Sequence, residues 1–333
     1  TKEVHDLGSL LFTPERDFLV KNNGDQVKID TLKGKTLGLY FSASWCGPCH
    51  RFTPVLVEVY NELAPKGDFE VVFISADQDD QSFSEYFSTM PWLAVPFSDT
   101  ETRDRLDEVF KVRGIPHLVI LNENGEVVSE EGVEIIQEQG SEAYPFSEQR
   151  IEELKKKEEE ERRNQSLRSV LVTSSRDHVI ASDGRKVPVS ELEGYMVGFY
   201  FSVAAYKVSV DFTQKLVKVY EKLKENGEKF EIVMIPLDDD EETFRQSFSS
   251  IPWLSLPFGD KHSSKLMKYF ELSTLPTLVV IGPDGKTLQS NVAEAVEEHG
   301  ELAYPFTPEK FAELEEIQKA KESSQTLESI LVS

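Results

Sequence analysis

Five consecutive residues, Trp45-Cys46-Gly47-Pro48-Cys49, contain the only two cysteines in a chain of 333 residues. Two thiols separated by two residues can form a reversible disulfide, supply half of a zinc site, or lie buried and inert. A zinc site would need two more ligands. With no second cysteine pair, these would have to come from residues such as His50 and His117, so no metal is expected. The flanking residues favour redox chemistry. Thr36 to Phe41 reads as an apolar strand, and beyond the thiols Phe52, Val55, Leu56, Val59 and Leu63 recur at helical spacing. The motif therefore falls where a strand hands over to a helix. Free backbone N–H groups and the helix dipole at that point stabilise a thiolate, making Cys46 the expected nucleophile. Cys49, one turn further on, can attack a mixed disulfide formed at Cys46 and is the expected resolving thiol.

The elements that must hold this motif can be traced outward from it. Phe18 to Val20 and Val27 to Ile29 flank Asn22-Asn23-Gly24-Asp25, a hairpin signal. The helix after the thiols contains Pro54, where a kink is expected. Phe69 to Ser75 reads as a buried strand, and Ser82 to Ser88 and Thr100 to Phe110 read as helices. His117 to Leu121 and Glu126 to Ser129 form a hairpin, and a closing helix starts at Ser147. This order specifies an α/β fold with a central mixed sheet flanked by helices. Ile115-Pro116, just before the strand at His117, is by itself an ordinary strand entry. Next to a dithiol motif it is a candidate cis peptide presenting the Ile115 backbone to an extended substrate.

The whole arrangement occurs twice. Leu39-Tyr40-Phe41-Ser42 returns as Phe199-Tyr200-Phe201-Ser202, Pro91-Trp92-Leu93 as Pro252-Trp253-Leu254, and Ala143-Tyr144-Pro145-Phe146 as Ala303-Tyr304-Pro305-Phe306, about 160 residues on. Ile115-Pro116 aligns with Leu275-Pro276. Two domains are expected, at 1–163 and 164–323, joined through the charged, helix-forming run from Lys155 to Arg163. Gln325 to Ser333 resembles Gln165 to Thr173, so 324–333 is expected to open a truncated third repeat of a longer protein.

In the second copy Ala205-Tyr206-Lys207-Val208-Ser209 takes the place of the thiol motif, so no disulfide can form there. Ser209 lacks the Gly-x-Ser-x-Gly elbow of a hydrolytic nucleophile. The second domain is expected to scaffold or to bind substrate. Asp238 to Glu242 reads as a solvated loop without the ligand spacing of a calcium site. Trp92 and Trp253 either border substrate grooves or pack beneath an inserted loop; the sequence leaves both open.

A formal charge of −24, from 36 basic and 60 acidic residues, disfavours nucleic acid and anionic membranes as partners. No run approaches a membrane span, and the first residues lack a secretory pattern. Two cysteines in all fit a reducing compartment better than a disulfide-stapled scaffold.

The stretch from Tyr40 to Pro54, with Pro91-Trp92-Leu93-Ala94-Val95-Pro96-Phe97, resembles the thioredoxins, and more closely their nucleoredoxin and tryparedoxin branch. Two such modules followed by the start of another resemble the plant nucleoredoxins. The resemblance implies two tandem thioredoxin-like folds and a protein-disulfide reductase. Cys46 and Cys49 would be its catalytic pair, with Trp45, Gly47, Pro48, Ile115 and Pro116 as supporting residues. It implies electrons from NADPH through thioredoxin reductase, which would bind the nucleotide, so that no cofactor is bound by this chain. The implied partners are that reductase and disulfide-containing proteins, in the cytoplasm or nucleus. Gly47-Pro48, the pair associated with reducing thioredoxins, weighs against an oxidase or isomerase, while a redox-gated binding module stays open. One position departs from the family. Six residues before Cys46, where thioredoxins keep a buried aspartate, stands Tyr40, and the position of its lysine partner is Phe73. The proton acceptor for Cys49 is then solvent in the first instance, with His50 and His117 as weaker candidates.

Overall fold

The computed structural model describes residues 3–332. The chain divides into two compact units between Glu161 and Arg162, two residues before the boundary read from the repeat. The first contains α1 (Leu7–Leu11), β1 (Phe18–Val20), β2 (Gln26–Lys28), β3 (Thr36–Ser42), α2 (Gly47–Leu63), β4 (Phe69–Ser75), α3 (Asp80–Phe87), β5 (Leu93–Ala94), α4 (Thr100–Val109), β6 (His117–Leu121), β7 (Val127–Ser129), α5 (Gly132–Gln139) and most of α6 (Glu148–Arg163). Among the described residues its strands form one seven-stranded mixed sheet in the order β2-β1-β5-β4-β3-β6-β7. β3 pairs in parallel with β4 and antiparallel with β6.

β3 is buried along its whole length. Its alternate side chains feed two cores, because successive strand residues point to opposite faces. Tyr40 joins Phe52, Leu56, Phe73, Trp92 and Leu118 under α2, α3 and α5. Leu37, Leu39 and Phe41 join Leu10, Val72, Ile74, Leu106 and Val119 under α1 and α4. A strand covered on both faces reads as a continuous apolar run, which is why Thr36 to Phe41 was legible. Pro54 lies inside one continuous helix on its exposed side, and no break in α2 accompanies it. The tryptophans of the repeated Pro-Trp-Leu segments are core residues: Trp92 and Trp253 are each 1% exposed, so neither borders a surface groove. No helix among the described residues is long and apolar enough to cross a membrane.

The second domain contains α7 (Leu167–Leu171), β8 (His178–Ile180), β9 (Lys186–Pro188), β10 (Met196–Ser202), α8 (Lys207–Glu225), β11 (Phe230–Pro236), α9 (Glu241–Ser249), β12 (Leu254–Ser255), α10 (His262–Tyr269), β13 (Thr277–Ile281), β14 (Thr287–Gln289), α11 (Ala293–His299) and α12 (Pro308–Leu331). Its sheet order, β9-β8-β12-β11-β10-β13-β14, repeats that of the first. α12 runs unbroken to Leu331, through residues whose sequence resembles the start of the second copy. Ser166 and Ser169 form a capping box that starts α7. Gln165 beside them is held by the Gly285 carbonyl and the Thr287 hydroxyl, both at 3.0 Å. The matching Thr326 donates its hydroxyl to Glu322 O at 2.8 Å, a bond made inside a helix.

One buried ion pair in each domain ties the segment after the first helix to the sheet. Arg16 donates from Nε and Nη2 to Asp99 Oδ2 at 3.1 and 2.7 Å, and from Nη1 to the Phe18 carbonyl at 2.7 Å. Arg176 Nε reaches Asp260 Oδ2 at 2.6 Å in the second. Burial would raise the pKa of Asp99, but the Thr102 hydroxyl and amide together with Arg16 outweigh it and hold the carboxyl below its ordinary value. The pair therefore contributes fully above the ordinary carboxylate range and loses its contribution as pH falls through the lowered value. Replacing Asp99 by Ala leaves the Arg16 guanidinium buried without its counter-charge and should cost about 3–5 kcal/mol. Faster hydrogen exchange of β3 and β4 amides, with β10 and β11 unchanged, is the expected readout at pH 7.

Candidate functional site

β3 ends at Ser42 and α2 begins at Gly47, so the four residues between must turn the chain and start a helix. Cys46 is the N-cap of α2, with extended backbone angles, and its Sγ accepts a hydrogen bond from the Cys49 N–H at 3.2 Å. Sulfur thus takes the place of the oxygen that usually satisfies a first-turn amide. Pro48 lies in that first turn, where its missing N–H costs no hydrogen bond. Cys46 and Cys49 are joined by a disulfide, their Cα atoms 5.2 Å apart. Cys46 keeps 5% of its surface and Cys49 none, so an attacking thiol can reach only the first sulfur. Trp45 is 67% exposed, and a Cβ built on Gly47 would meet nothing within 4 Å.

The chain brings Ile115 and Pro116 to the same place. The Ile115 carbonyl oxygen lies 3.6 Å from Cys46 Sγ, and the Ile115-Pro116 peptide is cis, as is Leu275-Pro276 in the second domain. His50 Nε2 lies 2.5 Å from the Ser44 carbonyl, which can only accept, so this nitrogen carries the proton and the ring braces the loop before the thiols. His117 sits with its ring centroid 5.9 Å from that of Phe41, and its Nε2 is buried without a partner. No group of three or more metal-ligating side chains occurs among the described residues.

Asp77 is a site residue that sequence reasoning missed. It is 5% exposed and accepts from the Ser44 amide at 3.1 Å, the Ser44 hydroxyl at 2.6 Å and the Ser75 hydroxyl at 3.3 Å, pinning the loop that carries Trp45 and Cys46. The signal lay in the repeat. Asp238 takes the same place in the second domain and accepts from the Ala204 amide at 2.7 Å. Of the acidic run there, Asp239 to Glu242 are exposed as their charge predicts, with Glu241 and Glu242 in the first turn of α9 instead of a loop. Asp238 is partly buried, which pushes its pKa up against the opposing effect of the Ala204 amide, and Asp240 caps α9.

Beneath the thiols the departure at Tyr40 is real. Tyr40 pairs directly with Phe73 across β3 and β4, so the two positions expected to replace a charge pair are neighbours. Tyr40 is hydrogen-bonded to Thr53 at 2.6 Å, Thr53 to Tyr86 at 2.8 Å, and Tyr86 to Ser42 at 2.7 Å. Four buried hydroxyls thus form a closed uncharged chain. Burial, reinforced by Tyr86, pushes the Tyr40 phenol far above its ordinary pKa, so it remains neutral and accepts no proton from Cys49.

In the second domain Tyr206 is the N-cap of α8 without a side-chain cap, and Ser209 is 2% exposed. The scaffold of the site is retained and both thiols are gone.

Two stretches, 34–127 and 194–287, match the thioredoxin-like family model. The chain is 63% identical over 331 residues to probable nucleoredoxin 1 of Arabidopsis thaliana, covering 99% of this chain and 57% of that protein. It is 42% identical over 302 residues to probable nucleoredoxin 2 of Oryza sativa subsp. japonica, covering 90% of this chain and 76% of that protein. Among solved structures, tryparedoxin II from C. fasciculata aligns with 42% of this chain and 97% of its own at 34% identity, with a TM-score of 0.40.

The hydroxyl chain has a measurable weight. Replacing Tyr86 by Phe removes its central oxygen and leaves Ser42 and Thr53 each short of a buried partner. The expected loss is about 1–3 kcal/mol in chemical denaturation of the oxidised chain, with the disulfide still forming.

Proposed function

The chain belongs to the nucleoredoxins of the thioredoxin-like family, and from that premise we propose that it is a thiol-disulfide oxidoreductase that reduces protein disulfides. The observation that carries the proposal is the Cys46–Cys49 pair at the N-terminus of α2, with one sulfur reachable and an amide already aimed at it. In the reduced protein that amide and the helix dipole favour a thiolate at Cys46. The thiolate attacks one sulfur of a substrate disulfide, forming a mixed disulfide and releasing the first substrate thiolate. Cys49 then loses its proton, to solvent, and attacks Cys46 Sγ. The Cys46–Cys49 disulfide closes and the second substrate thiolate leaves, so two electrons pass to the substrate. Trp45, Gly47 and Pro48 frame the reacting sulfur. The Ile115 backbone, set by Pro116, gives an extended substrate an edge to lie against.

The oxidised pair needs a reductant of the dithiol class. We assign this to thioredoxin reductase with electrons from NADPH bound there, so that this chain carries the thiols and no cofactor of its own. A cytoplasmic or nuclear setting follows from the same chemistry, since a reducing compartment returns the pair to its active form. The second domain, with Tyr206 and Ser209 in place of thiols, serves on this reading to hold or present protein substrates.

NADPH consumption with thioredoxin reductase and a disulfide protein should be continuous and should vanish in Cys46→Ser. Oxidation of a single equivalent without turnover would instead mark a redox-gated binding module. On the reduced protein, limiting iodoacetamide near neutral pH should alkylate Cys46 first, and Cys49→Ser should accumulate a mixed disulfide that Cys46→Ser cannot form. Preferential labelling of Cys49 would reverse the two roles.

A further inference from the structure

The two domains differ sharply at one buried spot. In the first, the phenol of Tyr86 fills the space beneath the start of α2. Its ring lies tilted against His50 at 5.2 Å and edge-on to Phe73 at 5.8 Å, and its hydroxyl bonds Ser42 and Thr53. In the second domain the same helix position, counted from the capping Asp79 and Asp240, is Ser247. The hydroxyl partners are kept as Ser202 and Thr213, while Val210 and Met234 replace His50 and Phe73. The result is a recess of about 380 Å³ lined by Ser202, Ser209, Val210, Thr213, Met234 and Ser247, among others. A cavity of roughly 150 Å³ is enough to hold benzene in an engineered protein.

A second, independent feature marks this recess as a ligand site. Ser209, 2% exposed and lining it, has a buried Oγ with no hydrogen-bond partner. The large majority of buried hydroxyls are satisfied, and an unpartnered one on a residue that lines a cavity is a bond that an occupant can complete. We propose that the second domain binds a phenolic ring in this recess, the ring occupying the place that Tyr86 takes in the first domain. Its faces lie against Val210 and Met234. Its hydroxyl meets the group formed by Ser202, Ser209 and Thr213, which can both donate to it and accept from it. Nothing charged is needed, and the six residues named are all neutral. The ring can come from a free phenol or from the tyrosine side chain of a polypeptide.

The test uses the oxidised full chain and no redox turnover, so its outcome is independent of the reductase reading. p-Cresol, toluene and N-acetyl-tyrosinamide are titrated while the methyl resonances of Met234 and Ile251 are followed. p-Cresol should shift both and bind about tenfold more tightly than toluene, which fills the space but cannot bond the hydroxyls. Binding of N-acetyl-tyrosinamide would identify tyrosine side chains as admissible occupants, and binding of p-cresol alone would restrict the site to free phenols. Ser247→Tyr, which supplies the ring from within, should abolish p-cresol binding. Thr213→Val should weaken p-cresol while leaving toluene unchanged, and stands in should Ser247→Tyr not fold. Equal binding of toluene and p-cresol, no binding of p-cresol, or undiminished binding to Ser247→Tyr would each overturn the proposal.

Discussion

The Cys49 amide donates to the Cys46 sulfur because a strand buried on both faces ends four residues before a helix must begin. That join constrains the rest of the domain. β3 cannot slide by one residue without driving Tyr40 into the core occupied by Leu39 and Phe41, since the two faces of the strand feed different cores. Register is therefore locked, and with it the place of the first helical amide. The Asp77 carboxylate removes the freedom that remains by fixing both polar groups of Ser44. From the other side, β6 brings the Ile115 carbonyl within 3.6 Å of the sulfur. Three neighbouring strands thus deliver the thiol, its clamp and the Ile115 carbonyl to one end of the sheet.

The second domain shows which parts of that arrangement are structural. Strand order, the buried arginine–aspartate pair, the cis peptide before β13 and the aspartate bonded to the loop amide all persist without thiols. Of these, the arginine–aspartate pair and the aspartate bonded to the loop amide hold the fold whether or not it exchanges electrons. At the site itself the change lies at the N-cap, where Tyr206 makes no side-chain cap bond, and in the space below it. The retained carboxylate of Asp238 is a consequence of loop architecture.

How much was legible followed from how local the cause was. The thiol motif, β4 and β6, and the duplication are written in residue type and spacing, and the strand bounds at Phe69–Ser75 and His117–Leu121 match the sequence reading. Burial of Trp92 and Trp253 was not legible, because an aromatic residue between prolines has the same local pattern at a groove rim and in a core. Asp77 was not legible from its own segment for a related reason: a short acidic side chain after a strand is ordinary until the fold carries Ser44 to it, and only its recurrence as Asp238 pointed to it. The continuation of α12 through residues resembling α7 shows the same limit. A capping box forms only where the preceding chain departs from the helix, and α7 makes that departure with Gln165 held by the hairpin of β13 and β14.

The aspartate–lysine pair of ordinary thioredoxins is replaced here by more than two apolar residues. A lone buried charge is costly, so both members had to change together, and Tyr40 and Phe73 lie side by side as that requires. Tyr40 still brings a hydroxyl into the core, which obliges a partner; Thr53 supplies it, and Tyr86 and Ser42 close the chain. Each oxygen is satisfied by the next, so the network is stable only as a whole. The second domain removed the central link and kept the ends. Thr213 there bonds Tyr200 at 2.7 Å and donates to the Ser209 carbonyl at 2.7 Å, but it is more exposed than Thr53, and the oxygen of Ser209 beside it is left open. An uncharged network can lose a member and leave a neutral vacancy, whereas a charge pair that lost one member would leave a bare ion. Hydroxyls in place of charges beneath the thiols are thus compatible with the recess found at the same place in the second copy.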